Sequence, residues 1–357
     1  MCGITGWVDY ERDLRRERAA AQAMVETMAC RGPDDEGLWL DRHVALGHRR
    51  LAVIDIEGGR QPMTADCGDG VRAVLTYSGE VYNFQELRAE LAARGHQFHT
   101  RSDTEVVIQA YLAWGDDFVT RLNGMYAFAI WDVAREELLL VRDRMGIKPL
   151  YYFPTPQGVL FGSEPKAILA NPLAEPVVDA DGLRELLSFV KTPEQAIFRG
   201  MREVRPGQLV RVRRDGIDKR RYWALTAREH TDDRETTVRT VRELLDDIVA
   251  RQLISDVPLC TLLSGGLDSS VITALAAKAL RAETGDAVRS FAVDFVGQVE
   301  RFQPDAMRDT PDAPFVADLA RHVAADHTDI VLDSDELMDP QSRAAVLHAR
   351  DLPSGMG

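Results

Sequence analysis

The sequence predicts two domains of different class: an antiparallel-rich α+β domain, followed by an α/β domain with a doubly wound parallel sheet. Three observations carry this. The 357 residues suit two domains, each long enough to bury its own core. Between residues 125 and 161 one short strand follows another across tight turns. From residue 236 the order becomes helix, strand, glycine turn, helix, strand, helix, strand, and this βαβ alternation implies parallel strands covered by helices.

Taken in order, Ile4–Val8 alternates as a strand, and Leu14–Met28 reads as a helix carrying Ala, Met and Val on one side. Val71–Tyr77 is a second strand that runs into Ser78-Gly79-Glu80. Asn83 then stands where a cap would open a helix reaching Arg94. Ser102-Asp103-Thr104-Glu105 has the spacing of a capping box, which opens a helix over Thr104–Trp114. Met125–Trp131, Glu137–Arg142, Leu150–Phe153 and Val159–Phe161 are strands, and Arg214-Asp215-Gly216 is a hairpin turn. The texture changes near residue 224, and the polar Thr226–Glu235 is a linker. Beyond it come a helix (Thr236–Leu253), a strand (Leu259–Leu263) and a helix (Ser269–Ala282). A strand (Ser290–Phe295), a helix (Pro314–Ala324) and a strand (Thr328–Leu332) complete the series. The expected boundaries are 2–223 for the first domain, 224–235 for the linker and 236–357 for the second.

Composition narrows the function. With 43 Lys+Arg against 57 Asp+Glu, the net charge of −14 and the lack of a long basic run disfavour nucleic acid and membrane surfaces as partners. The short clusters Arg211–Arg214 and Lys219–Arg221 read as solvated strand edges. Cys2, Cys30, Cys67 and Cys260 include no C-x-x-C pair, so zinc and redox motifs find no support. No basic-then-apolar leader and no membrane-length apolar run is present, which makes a cytoplasmic protein with reduced thiols the expectation.

Leu263-Ser264-Gly265-Gly266-Leu267-Asp268-Ser269-Ser270 falls at the carboxyl end of a strand and directly before a helix, where open α/β sheets bind ligands. Two glycines let backbone approach an anion, while hydroxyls and helix N–H groups supply donors. No Lys follows the glycines, so this is not the G-x-x-x-x-G-K-[ST] phosphate loop. Asp268 beside phosphates suits the positioning of a metal. The stretch is similar to the pyrophosphate loop of ATP pyrophosphatases.

At the other end, removal of Met1 would leave Cys2 with a thiol and a free α-amine on one carbon, a nucleophile and its base in one residue. Five stretches accompany it: Arg31-Gly32-Pro33-Asp34, Gly47-His48-Arg49-Arg50-Leu51-Ala52, Ser78-Gly79-Glu80-Val81-Tyr82-Asn83, Arg101-Ser102-Asp103 and Arg142-Asp143-Arg144-Met145-Gly146-Ile147-Lys148-Pro149-Leu150. With Met1-Cys2-Gly3-Ile4 and the glycine turn, this set and its order resemble the bacterial B-type glutamine-dependent asparagine synthetases, over nearly the whole chain. The resemblance implies an N-terminal-nucleophile glutaminase, with antiparallel sheets sandwiched by helices, followed by an ATP-pyrophosphatase synthetase domain.

It further implies that Cys2 attacks the glutamine amide while Gly79 N–H and the Ser78 side chain meet the oxyanion. The family commonly has Asn where this chain has Ser78, whose hydroxyl is a shorter donor. Arg50 would hold the glutamine carboxylate, and Glu80 and Asp103 its ammonium. Ser264, Gly265, Gly266, Leu267, Asp268 and Ser269 would hold the ATP phosphates, Leu262 and Val293 would frame the adenosine, and Asp268 would meet Mg2+. The implied substrates are glutamine, aspartate and ATP, with ammonia passing through an internal tunnel to a β-aspartyl-AMP. A homodimer is one assembly the sequence allows. Leu262 and Val293 read equally as sheet-core residues.

The family pattern continues past Asp351-Leu352-Pro353, so Gly357 is expected to end a fragment, and 297–312 reads as a polar insertion. Other readings stay open. Related enzymes amidate a different carboxylate in secondary metabolism or close a β-lactam ring, and the chain alone could be a glutaminase only. A non-catalytic module that binds glutamine or an adenylate is a further class. A phosphoribosyl-transferring amidotransferase would share the Cys2 domain but has no use for the glycine turn.

Overall fold

The computed structural model describes residues 1–66, 70–188, 190–299, 301–304 and 309–351. Cys67, part of the 297–312 segment and the stretch from Leu352 to Gly357 lie outside the described residues. The chain divides into two compact units, Met1–Ala227 with Asp351–Gly357, and Arg228–Arg350.

In the first unit the elements are β1 (Gly3–Asp9), α1 (Arg18–Glu26), β2 (Asp35–Leu40), β3 (Val44–Arg50), β4 (Met63–Asp66), β5 (Val71–Val81), α2 (Phe84–Ala93) and α3 (Asp103–Trp114). They continue as β6 (Gly124–Asp132), β7 (Glu137–Arg142), β8 (Tyr151–Thr155), β9 (Gly158–Gly162), α4 (Pro165–Leu169), α5 (Ala180–Leu187), β10 (Arg202–Glu203), β11 (Gln208–Arg213) and β12 (Gly216–Arg221). Two six-stranded sheets result, ordered β10-β8-β9-β1-β3-β2 and β12-β11-β7-β6-β5-β4, with antiparallel pairing throughout. Ile4, Val8, Leu46 and Phe161 of one sheet share a buried core with Val74, Ala129, Leu140 and Val210 of the other. Fully burying each of the Ile, Val, Leu and Phe side chains among them contributes about 1.5–3 kcal/mol. Met24 of α1 and Ile168 of α4 pack on Trp7, Ala45 and Leu160 of the first sheet, while α3 lies against β5 of the second.

Several expected elements change length for tertiary reasons. The helix expected over Leu14–Met28 is interrupted: Asp13 caps a 3-10 turn at Leu14–Arg16, Glu17 leaves helical geometry, and α1 starts at Arg18. β5 does not stop at Tyr77, because β6 pairs along it through Ser78↔Ala127, Gly79↔Tyr126 and Glu80↔Met125. Asn83 precedes α2 but makes no cap bond; its side chain accepts from Asn123 N and donates to Arg121 O. Ser102 does cap α3 by accepting from Thr104 N. Glu105 does not close a capping box, however, because its carboxylate takes His99 N, Thr100 N and the Thr100 hydroxyl. The hairpin at Arg214-Asp215 joins β11 to β12 through the Arg213↔Gly216 pair. Of the basic clusters, Arg213 pairs with Glu137 and Lys219 with Glu194.

The second unit runs α6 (Arg234–Gln252), β13 (Thr261–Leu262), α7 (Leu267–Glu283), β14 (Arg289–Phe295), α8 (Ala313–His322), β15 (Asp326–Leu332), α9 (Ser334–Met338) and α10 (Pro340–Arg350). Its sheet, ordered β13-β14-β15, is parallel, and α7 and α8 are the crossovers. Leu263 and Ala292 pack on Val316 and Ala320 of α8. The strand expected over Leu259–Leu263 pairs only at Thr261 and Leu262. No helix among the described residues is long and apolar enough to cross a membrane.

Candidate active site

Cys2 stands one residue before β1, whose Gly3 pairs with Arg49 of β3. Its backbone is gripped from two sides. The Cys2 carbonyl accepts from the Ser78 hydroxyl at 2.8 Å and from Arg31 Nε at 3.0 Å. Arg31 is itself held by Glu164 at 2.8 Å, and its carbonyl accepts from the Met1 ammonium at 3.0 Å. The half-buried Sγ accepts from Leu51 N at 3.3 Å. Burial pushes the Cys2 thiol up and the Met1 ammonium down from their ordinary values.

Sγ opens on a cavity of about 310 Å³ whose lining includes Cys2, Arg50, Gly79, Glu80 and Asp103. Four chain segments far apart in sequence therefore supply the residues expected to recognise glutamine. Arg50, at the end of β3, is buried, and its NH1 and NH2 donate to the carbonyls of Ile56, Asp55 and Ile54. Three acceptors against five N–H donors leave donors for a carboxylate. Asp103 opens α3 with its carboxylate accepting from Tyr77 OH at 2.7 Å and Val81 N at 3.0 Å. Burial raises the carboxyls of Asp103 and Glu80, the latter raised further by the charge of Asp103 and opposed by Lys148.

Gly79 fits where no side chain would: at φ 155° a Cβ would overlap the Met125 carbonyl and Tyr126 backbone of β6. Ser78 differs from expectation. It is buried, does not line the cavity, and commits its hydroxyl to Cys2 O, so it holds the Cys2 backbone instead of facing the cavity. The reason is reach: the Cys2 carbonyl lies 2.8 Å from the hydroxyl and takes its one donor.

Sequence reasoning did not assign roles to Arg31, Gln61, Tyr77 or Lys148. Gln61 accepts from Tyr77 N at 2.6 Å and lines the cavity together with Tyr77 and Lys148. Arg31 and Lys148 lie in loops within stretches singled out above, and membership of those stretches was the available signal.

In the second unit Gly265, at φ 79°, adopts the left-handed conformation that glycine tolerates, and Gly266 caps α7. Ser269 Oγ accepts from Ser264 N at 3.2 Å and donates to Gly266 O at 3.1 Å, which closes the turn. Leu267 and Asp268 fall in the first turn of α7, both exposed. A second cavity, of about 290 Å³, is lined by Leu262, Ser264, Val293, Asp294, Asp312 and Asp329 among others. Leu262 and Val293 are 75% and 59% exposed, so they are not sheet-core residues. Gly265, Gly266, Leu267, Asp268 and Ser269 stand outside that lining. Among the described residues no group of three or more His, Cys, Asp or Glu forms a metal cage. Asp268 is a single carboxylate in the first turn of α7, so a cation there would need phosphate oxygens or water as its other ligands.

Against known proteins, the family described as a glutamine amidotransferase domain matches residues 1–223, and the family described as asparagine synthase matches residues 240–356. "Asparagine synthetase [glutamine-hydrolyzing] 3" of Bacillus subtilis (strain 168) is 43% identical over 99% of this chain and 57% of its own length. "Asparagine synthetase B [glutamine-hydrolyzing]" of Escherichia coli (strain K12) is 33% identical over 95% of this chain and 55% of its own length. The chain thus spans little more than half of these relatives. A solved glutamine phosphoribosylpyrophosphate amidotransferase from B. subtilis aligns at 16% identity with a TM-score of 0.48, covering 94% of this chain and 92% of that one.

Proposed function

The chain belongs to the glutamine amidotransferase family through residues 1–223, and from that premise we propose that its first unit hydrolyses glutamine, with Cys2 as nucleophile once Met1 is removed. The observation that carries this is the single cavity that collects Cys2, Arg50, Gly79, Glu80 and Asp103. Glutamine is the ligand this charge pattern fits: a guanidinium for its carboxylate, two carboxylates for its ammonium, and a thiol at the far end.

The steps follow from the groups. The Cys2 α-amine takes the thiol proton, and Sγ attacks the side-chain amide carbon as the carbonyl π pair moves to oxygen. Gly79 N–H meets that oxyanion. Collapse breaks the C–N bond, the proton passes from the amine to the departing nitrogen, and ammonia leaves a thioester. Water then cleaves the thioester to glutamate and restores the thiol. Ser78 and Arg31 act earlier, by holding Cys2 O so that Sγ keeps its direction.

For the second unit the same reading is ATP-dependent amidation of the aspartate side chain. ATP and aspartate give β-aspartyl-AMP and diphosphate, and ammonia displaces AMP to give asparagine. The match to asparagine synthase over 240–356 and the Ser264–Ser269 turn support it. Ser264 to Ser269 would hold phosphates, Leu262 and Val293 the adenosine, and Asp268 the Mg2+ that accompanies ATP. Another carboxylate in place of aspartate is the alternative acceptor. A cytoplasmic setting and a homodimer complete the reading.

The test is glutamate release from glutamine by the purified chain and by Cys2→Ala. Release that the substitution abolishes is the expected result. Equal release by both proteins, or none from a wild-type chain whose mass confirms loss of Met1, sinks the glutaminase reading.

A further inference from the structure

The Arg142–Leu150 stretch builds a rigid loop after β7. The Asp143 carboxylate accepts from the N–H groups of Met145, Ile147 and Lys148 at 2.9–3.0 Å. Arg142 donates through Nε to Lys148 O at 2.8 Å and through NH2 to Gly146 O at 2.8 Å. This framework fixes the backbone of Lys148, whose side chain lines the Cys2 cavity while the residue is only 4% exposed. Among the described residues its ammonium has one hydrogen-bond partner, the Met1 thioether sulfur at 2.9 Å. A thioether is a weak acceptor, and maturation would remove it. Loss of Met1 thus leaves a buried cation without a hydrogen-bond partner among the described residues, in the cavity that Cys2 lines.

We infer that Lys148 is a positioning residue of the nucleophile: with Met1 gone, its charge acts on the freed Cys2 α-amine and on Sγ, keeping the amine neutral until it takes the thiol proton and then stabilising the thiolate that attacks. The inference rests on the glutaminase reading for its use, but not for its measurement. Lys148 gives and takes no proton, so the balance of the reaction is unchanged. A cation near the amine disfavours a second positive charge there and favours a negative one on sulfur. The interaction is present already with Met1 in place, where Lys148 lowers the terminal ammonium and Cys2 in turn raises Lys148. Burial is the larger influence on Lys148 and holds it below its ordinary value.

The surrounding charges set the balance. Glu80 and Asp143 face Lys148 and favour its charged form, while Arg31 opposes it. Asp34 faces the terminal amine, and Arg50 and Asp103 face the Cys2 thiol with opposite effect. Deleting Lys148 removes a positive neighbour of both the terminal amine and Cys2, so both amine and thiol should titrate higher.

The experiment is alkylation of Cys2 by iodoacetamide across about pH 5.5–9.5, with the adduct located by peptide mass, on Met1-free wild type, Lys148→Met and Lys148→Arg. We expect the midpoint for Lys148→Met to rise by about 0.5–1 unit, which makes alkylation below it roughly three- to tenfold slower. Lys148→Arg should stay with the wild type. The acid limb of kcat/KM for glutamine should move up with the midpoint, a change that loss of packing alone does not produce. A folded Lys148→Met protein that titrates with the wild type overturns the inference. Lys148→Gln takes its place if the Met variant does not fold. Absence of Cys2-dependent glutamate release in the wild type would remove the glutaminase reading, while the alkylation midpoints would still decide the role of Lys148.

Discussion

The backbone of Cys2 is held by groups that do not line its cavity. Its carbonyl takes two donors, Ser78 and Arg31, and both hold the backbone from which Sγ projects. Ser78→Ala should therefore lower kcat for glutamate release by about three- to tenfold, in line with one hydrogen bond of roughly 0.5–1.5 kcal/mol. The KM for glutamine should not change, because Ser78 does not line the cavity. Steady-state kinetics separates the two parameters, and a raised KM would place the hydroxyl on the substrate. Acid should act differently. Glu80 and Asp103 both have carboxyls raised by burial, so they protonate at higher pH than ordinary carboxylates. As pH falls through those raised values the negative charge for the glutamine ammonium is lost, and KM should rise. A pH series of KM tests this, and a KM that is flat down to the ordinary carboxylate range would exclude the pair from ammonium binding.

Among elements, β5 matters most to the site, since Tyr77, Gly79 and Glu80 all come from its last residues. The polar Ser78-Gly79-Glu80 looks like a strand terminator, yet pairing with β6 carries the strand on to Val81. Gly79→Ala should disrupt that pairing, because the new Cβ would meet the Met125 carbonyl and β6 has to move. The expected cost is about 1–3 kcal/mol of stability together with loss of glutamate release. Chemical denaturation measures it, and an unchanged midpoint would show that β6 yields without strain. Other elements were readable from local pattern. Glu137–Arg142 and the Arg214-Asp215 turn stand where a short apolar run and turn chemistry put them. The capping box at Ser102 was half right, because Glu105 found three donors in the His99–Thr100 loop that no spacing rule reveals.

At the scale of the whole molecule the two stretches of chain match two families, a glutamine amidotransferase domain over 1–223 and asparagine synthase over 240–356. Asp268 lies in the exposed first turn of α7, within the second unit. On the proposed reading, Asp268→Ala should abolish ATP-dependent synthesis and leave glutamate release from glutamine within about twofold of wild type, since Asp268 does not line the Cys2 cavity. Paired assays of diphosphate and glutamate test this, and synthesis that survives would remove Asp268 from the nucleotide site. The sequence by itself determined the division into an antiparallel and a parallel domain, because strand spacing and βαβ alternation are local and periodic. It also determined the chemical types at both sites: a thiol beside an α-amine, and a glycine turn before a helix. Tertiary structure alone decided that Ser78 faces Cys2 O, that Leu262 and Val293 face solvent, and that Lys148 enters the Cys2 cavity. Those outcomes depend on which strand pairs with which, and on groups up to 147 residues apart meeting across the fold. Such contacts leave no period in the chain.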